Sequence, residues 1–209
     1  MSSAAKSPKG SPITLTVLSL LHFKPLHPYG MQRLLKQWGK DQVVNVGQRT
    51  SLYRAIDRLL GAGLIAVRET ERDQQYPERT VYEITDAGRE ATRSWLLEML
   101  REPRLEFPEF PVALSNLMLL APDEIERALT DRLTAVRAGQ AAQQRSLAET
   151  ARFGVPRVAM LENEYAVALA AAEGDWLEGL IADLRSGDLT WSAEELIAVA
   201  QASEAQAPQ

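Results

Sequence analysis

The sequence predicts a mainly α-helical protein with one small β-hairpin, made of an N-terminal domain that holds the hairpin and a C-terminal domain that is all helix. Three observations carry this prediction. Apolar residues recur at i, i+3, i+4, i+7 in segments spread along the 209 residues. Strand-like sequence bounded by turn residues marks the stretch from Leu64 to Ile84, whereas the β-branched ITLTVLSLLHF from Ile13 is assigned to a helix by its length and its Ser11-Pro12 opening. A proline-rich run at 102–111, EPRLEFPEFP, separates halves of opposite charge. Residues 1–100 hold 14 Lys/Arg against 10 Asp/Glu, whereas residues 101–209 hold 9 Arg against 18 Asp/Glu. The formal charge of −5 thus conceals a mildly basic half, and only that half suits a polyanionic partner.

The expected boundaries are a disordered tail at 1–11, a first domain at 12–101, a linker at 102–111, a helical domain at 112–201 and a second tail at 202–209. The opening MSSAAKSPKGSP has no apolar signal core, and no apolar run reaches the length of a membrane span. With no cysteine, disulfides and thiolate metal sites are excluded, and a cytoplasmic location without membrane contact is the expectation.

In chain order, Ser11-Pro12 opens a first helix through ITLTVLSLLHF, which Lys24-Pro25 ends. A second helix follows Pro28, with Met31, Leu34, Leu35 and Trp38 at helical spacing and Gly39 closing it. Thr50 to Leu60 winds as a third helix. Leu52, Ala55, Ile56, Leu59 and Leu60 fall on its back, Thr50, Ser51, Arg54, Asp57 and Arg58 on its front, and Tyr53 on the border. Gly61 and Gly63 stop it, since glycine accepts a left-handed C-terminal turn cheaply. Leu64 to Glu71 and Thr80 to Ile84 read as paired strands, joined by a polar tip carrying Arg72, Gln74, Gln75 and Arg79. Thr85 caps a fourth helix to about Arg101, which contains Trp95.

Helix–helix–helix–hairpin is the order of a winged helix-turn-helix domain, and the third helix has the shape and charge to enter a DNA major groove. The wing tip would meet phosphate or a minor groove. An ordinary solvated helix and a solvated hairpin tip are the plain alternatives; two cationic features in one small unit favour DNA.

After the linker, Pro122-Asp123-Glu124 opens a long helix with the stripe Ile125, Leu129, Leu133, Val136, and Gly154 and Pro156 interrupt it. A second long helix aligns Leu161, Tyr165, Ala172, Trp176, Leu180 and Leu184, with Gly174 inside it marking a bend or a close helix approach. Ser186-Gly187-Asp188 ends it, and a weak last helix is expected near Ser192 to Gln201. Two such stripes exceed what a small domain buries alone, so Leu161, Tyr165, Trp176 and Leu180 are the expected dimer interface.

His22 and His27 have no metal-ligand spacing around them, and neither a glycine-rich phosphate loop nor a Gly-x-Ser-x-Gly elbow is present. No enzyme, metal or cofactor is therefore expected.

The first hundred residues resemble the PadR-type winged-helix transcriptional regulators. The matching elements are LTVLSLL at 15–21, Pro25…Pro28-Tyr29-Gly30, Thr50-Ser51-Leu52-Tyr53, Leu59…Gly63-Leu64-Ile65 and Tyr82-x-Ile84-Thr85-x-x-Gly88-Arg89. The second half is similar to the helical domain of the longer members in Asp123-Glu124 and in Glu173-x-x-Trp176-Leu177-Glu178-x-Leu180, and that match is looser. Gly30-Met31 departs from the acidic–aliphatic pair common in the family. The resemblance implies a homodimer on an inverted repeat of double-stranded DNA, usually a repressor, sometimes controlled by a small effector. On it, Tyr29, Ser51 and Tyr53 become candidate phosphate contacts, and Arg49, Arg54 and Arg58 candidate base or backbone contacts. Tyr53 has an equal alternative, its ring packed on the second helix. Asp57 either orients Arg54 or Arg58 or accepts from a cytosine amino group. Trp95 either packs with Leu96 and Met99, the preferred reading, or offers a plane for a flat apolar effector. The other functional class that fits is a winged-helix module for protein contacts without DNA.

Overall fold

In a computed structural model of the chain, the residues described are 10–40, 43–44, 49–71 and 79–192. They form helices α1 (Pro12–Phe23), α2 (Pro28–Gln37) and α3 (Arg49–Gly61), strands β1 (Ile65–Glu71) and β2 (Arg79–Ile84), then helices α4 (Asp86–Arg101), α5 (Glu109–Leu114), α6 (Pro122–Arg152) and α7 (Leu161–Ser186). The chain divides into two compact units, with the boundary between Leu105 and Glu106. This is the mainly helical fold with a hairpin that the sequence predicts.

α1 starts where a proline can start a helix. Pro12 takes the first turn, the Ser11 N–H donates to Thr14 Oγ1 at 2.8 Å, and Thr14 N–H donates to Ser11 Oγ at 3.4 Å. Ser11 is therefore a cap and Gly10 packs beside Trp95, so the last two residues of the expected tail belong to the domain. Val17, Leu18, Leu20 and Leu21 are all buried, which is why the helix reads as apolar nearly all round: it lies between α3 and α4. In α2, Met31 and Leu35 are buried but Trp38 is not. Trp38 is 47% exposed and stands edge-on to Phe23, because it is the C-cap residue and the helix turns away before it. Likewise Leu60, counted on the apolar back of α3, lies outside the buried set formed by Leu52, Ala55, Ile56 and Leu59.

The strands pair antiparallel from Ile65↔Ile84 to Glu71↔Arg79, with a bulge at Arg68. Leu26 adds an isolated antiparallel bridge to β2 that the sequence does not announce. Its N–H and carbonyl exchange bonds of 3.0 Å with Tyr82, tying the α1–α2 connection to the hairpin.

A knot of backbone contacts joins α3, the hairpin and α4. Leu64 N–H donates to Leu59 O at 2.9 Å, Thr85 N–H donates to Leu64 O at 3.1 Å, and Thr85 Oγ1 donates to Gly63 O at 2.8 Å. The same Thr85 hydroxyl accepts from Gly88 N–H at 3.0 Å and caps α4. Gly63 itself has φ +68, the left-handed turn expected after α3. A Cβ on Gly88 would stand 2.0 Å from the Leu64 carbonyl oxygen, which explains why glycine follows Ile84-Thr85 at that spacing.

In the second unit, α5 begins inside the proline-rich stretch expected as linker. α6 and α7 pack antiparallel over a small core of Ile125, Leu129, Leu177 and Ile181. Arg132 reaches Glu173 at 2.7 Å, Arg137 reaches Asp175 at 2.6 Å and Glu178 at 2.8 Å, and Arg185 reaches Glu126 at 2.8 Å. These three cross-links fix the register of the pair. Gly174 is the close approach its position suggests: a Cβ there would be 2.5 Å from the Arg137 guanidinium carbon. Gly187, at φ +81, ends α7. The weak helix expected near 192–201 and the tail at 202–209 lie outside the described residues, apart from Ser192.

Replacing a helical glycine by alanine ordinarily gains up to about 1 kcal/mol of helix propensity. At Gly88 the collision is with backbone and wins: Gly88→Ala is expected to lower the unfolding free energy by roughly 1–3 kcal/mol. Gly179, with nothing within 4 Å of its added Cβ, is expected to show the opposite sign. Thermal unfolding of the two variants against the parent chain reads both.

Candidate nucleic-acid interface

α3 is held by its back. Leu52 and Ile56 are at most 1% exposed, and Leu59 joins them against α1. This leaves the other side in solvent, with Tyr53, Arg54, Asp57 and Arg58 exposed and Ser51 half-buried at its edge. Arg54 and Arg58 are one turn apart. Neither makes an ion pair among the described residues, whereas Arg132, Arg137, Arg157 and Arg185 of the second unit all meet carboxylates. Two unpaired guanidiniums on successive turns keep every donor available for phosphate or a guanine edge. Arg49 and Thr50 occupy the first turn of the same helix.

Tyr29 sits on the first turn of α2 and is 60% exposed. Its ring stacks parallel to His27 at 6.1 Å between centroids. His27 is itself the N-cap of α2: its Nδ1 accepts from Gly30 N–H at 3.0 Å. A residue just before a helix-opening proline occupies the cap position, so this role was readable from His27-Pro28. His22 is spoken for as well, its Nδ1 lying 3.2 Å from Arg89 Nη1. Among the described residues no group of His, Asp or Glu is placed to hold a metal ion, and no helix is long and apolar enough to cross a membrane.

Arg79 is the first residue of β2, and Arg72, Gln74 and Gln75 lie outside the described residues. Trp95 takes the packing alternative: it is 6% exposed, in the core of the first unit, and a Cβ on Gly10 would come within 2.5 Å of its ring. Leu161, Tyr165 and Trp176 are exposed along α7, and Leu180 packs at the edge of the small core. The α7 residues facing α6 are instead Gly174, Leu177 and Ile181.

One contact was not foreseen. Tyr82, on β2, lies close enough to Asp57 and Tyr53 for both to act on its phenol. Burial first, then the Asp57 carboxylate, then Tyr53 hold the Tyr82 phenol above the ordinary value of 10.0. The fold therefore favours the neutral phenol. That stabilisation is present below the unfolded value and is lost as pH rises through the raised one. Asp57→Asn is expected to bring the Tyr82 ionisation down toward 10.0, read by NMR of the ring carbon that bears the hydroxyl.

Residues 17–94 match the model of the transcriptional regulator PadR-like family. Among curated proteins none matches. Solved structures do. Bacillus subtilis PadR in complex with operator DNA is 22% identical, with a TM-score of 0.69 over 83% of this chain and 99% of that one. The same Bacillus subtilis protein with p-coumaric acid gives 20% and 0.66, over 83% and 98%. The Vibrio cholerae virulence activator AphA gives 18% and 0.57, over 83% and 98%. At these identities the likeness is one of fold, and it extends from the hairpin-bearing unit through the helical one. Residues 17–94 thus match the PadR-like winged-helix family, and the fold of the chain, C-terminal helices included, is the one seen in the solved PadR structures.

Proposed function

We propose that the chain binds duplex DNA in a sequence-specific way as a homodimer on an inverted repeat, and acts as a repressor. The observation that carries this reading is α3, a helix pinned by a buried back whose exposed side presents Arg54 and Arg58 without carboxylate partners among the described residues. Such a helix fits a major groove about 12 Å wide. Ser51, Tyr53 and Tyr29 stand near its N-terminal end in sequence or on the preceding helix, where phosphate contacts set orientation. The Bacillus subtilis relative solved with operator DNA supports the same use of the fold.

The dimer reading rests on the second unit. α7 exposes Leu161 at 47%, Tyr165 at 67%, Leu169 at 53% and Trp176 at 48%, a row longer than the four-residue core beneath it. An apolar row of that length marks a protein contact. A two-fold dimer would place half-site centres about 34–36 Å apart, one helical turn of DNA. The relative solved with p-coumaric acid supports control by a small aromatic acid. A ligand of that kind acts by binding one spacing of the recognition helices better than another. The burial of Trp95 in the core supports a packing role for it over that of a stacking plane.

Selection from random-sequence duplexes followed by gel shift tests the reading. Affinity should fall steeply with salt as counterions are released. Losing Arg54 or Arg58 to alanine is expected to cost on the order of 1–3 kcal/mol where the residue reads a base edge. A folded Arg54→Ala/Arg58→Ala double variant that binds the selected site as tightly as the parent would end this proposal. For the dimer, Tyr165→Glu with Leu169→Glu is expected to give monomers in sedimentation; an unchanged dimer would move the interface elsewhere.

A further inference from the structure

The exposed side of α3 is divided by sign. Arg54 and Arg58 occupy one part of it, and Asp57 lies between them and Tyr53, one turn on from the tyrosine. Asp57 is exposed and makes no ion pair among the described residues, although Arg58 is its neighbour in sequence and Arg54 is three residues away. Of the two roles open at the level of sequence, orientation of an arginine is therefore not the one the structure takes up.

A carboxylate on a DNA-facing surface repels every phosphate alike, so it lowers affinity for all sequences. It favours one sequence only where it meets a hydrogen-bond donor, since an ionised carboxylate accepts and does not donate. In the major groove the base edges present two such donors, the cytosine N4 amino group and the adenine N6 amino group. The adenine amino stands beside the N7 acceptor, which repels a second carboxylate oxygen, so cytosine is the better partner.

We propose that Asp57 is a base-discriminating residue whose carboxylate accepts a hydrogen bond from the exocyclic amino group of a cytosine in each half-site. This rests on the DNA-binding reading above and assigns a specificity within it. The arginines supply attraction, and Asp57 makes that attraction conditional on one base.

Selection from a random-sequence duplex library by the full chain, Asp57→Ala and Asp57→Asn, followed by titration of the enriched duplexes, tests it. The parent chain is expected to enrich cytosine at one position of each half-site. Asp57→Ala should lose that preference by on the order of 10-fold. Its other positions should be unchanged, and its binding to random-sequence duplex equal or tighter. Asp57→Asn should move the preference toward adenine, whose N6 and N7 match an amide. A cytosine preference that survives Asp57→Ala, or a loss spread evenly over all positions, overturns the assignment. A parent chain that enriches no sequence overturns the DNA-binding reading itself, and this one with it, before any variant is compared.

Discussion

The first unit depends on one crowded point, the Leu64 carbonyl. It accepts from Thr85 N–H at 3.1 Å and leaves no room for a side chain on Gly88. Around it the end of α3, the base of the hairpin and the start of α4 are tied together within a few residues. Backbone atoms cannot move aside as a flexible side chain can, so the direction of α3 relative to the hairpin is set here. The apolar contacts of α1 with α3 and α4 then hold what this junction aims. A helix proposed to read DNA must present its face in a fixed orientation, and this junction supplies it.

Ion pairing distinguishes α3 from the α6–α7 pair. In the second unit Arg132, Arg137, Arg157 and Arg185 are each matched to acids, and the first, second and fourth of these cross from α6 to α7. Exposed pairs of this kind add little stability individually. Their effect is on register, because each guanidinium must find its carboxylate on the opposite helix. On α3, Arg54 and Arg58 meet no acid among the described residues, and their charge remains available to a partner. Asp57, the acid of the same helix, acts instead on the Tyr82 phenol of the hairpin.

The second unit is short of core. Ile125, Leu129, Leu177 and Ile181 lie in one half of the α6–α7 pair, while Leu161, Tyr165 and Leu169 along α7 remain in solvent. Arg132 lies 3.4 Å from the Phe110 ring centroid, and Phe110 meets Trp176 edge-on, so part of the α7 row is braced from within. A helix pair built this way leaves an apolar row uncovered, which is what the proposed homodimer would cover.

Much of the fold is written locally in the sequence. Ser11-Pro12 starts α1 by capping chemistry, Gly63 and Gly187 supply the left-handed turns that stop α3 and α7, and the Leu52–Leu59 stripe gives the buried back of α3 and hence its exposed front. These depend on residues within one or two turns of each other, and short-range geometry determines them. What joins distant segments was not legible. The Leu26–Tyr82 rung, the fit of Gly88 against Leu64 and the nearness of Asp57 to Tyr82 couple residues with no periodic relation. The same holds for burial at helix edges. Trp38 and Leu60 carry apolar side chains at helical spacing, yet packing of neighbouring elements decides that they stay in solvent, while it encloses Trp95. Periodicity fixes which residues share a face; only the tertiary structure decides how wide the covered part of that face is, because its width is set by the element lying across it.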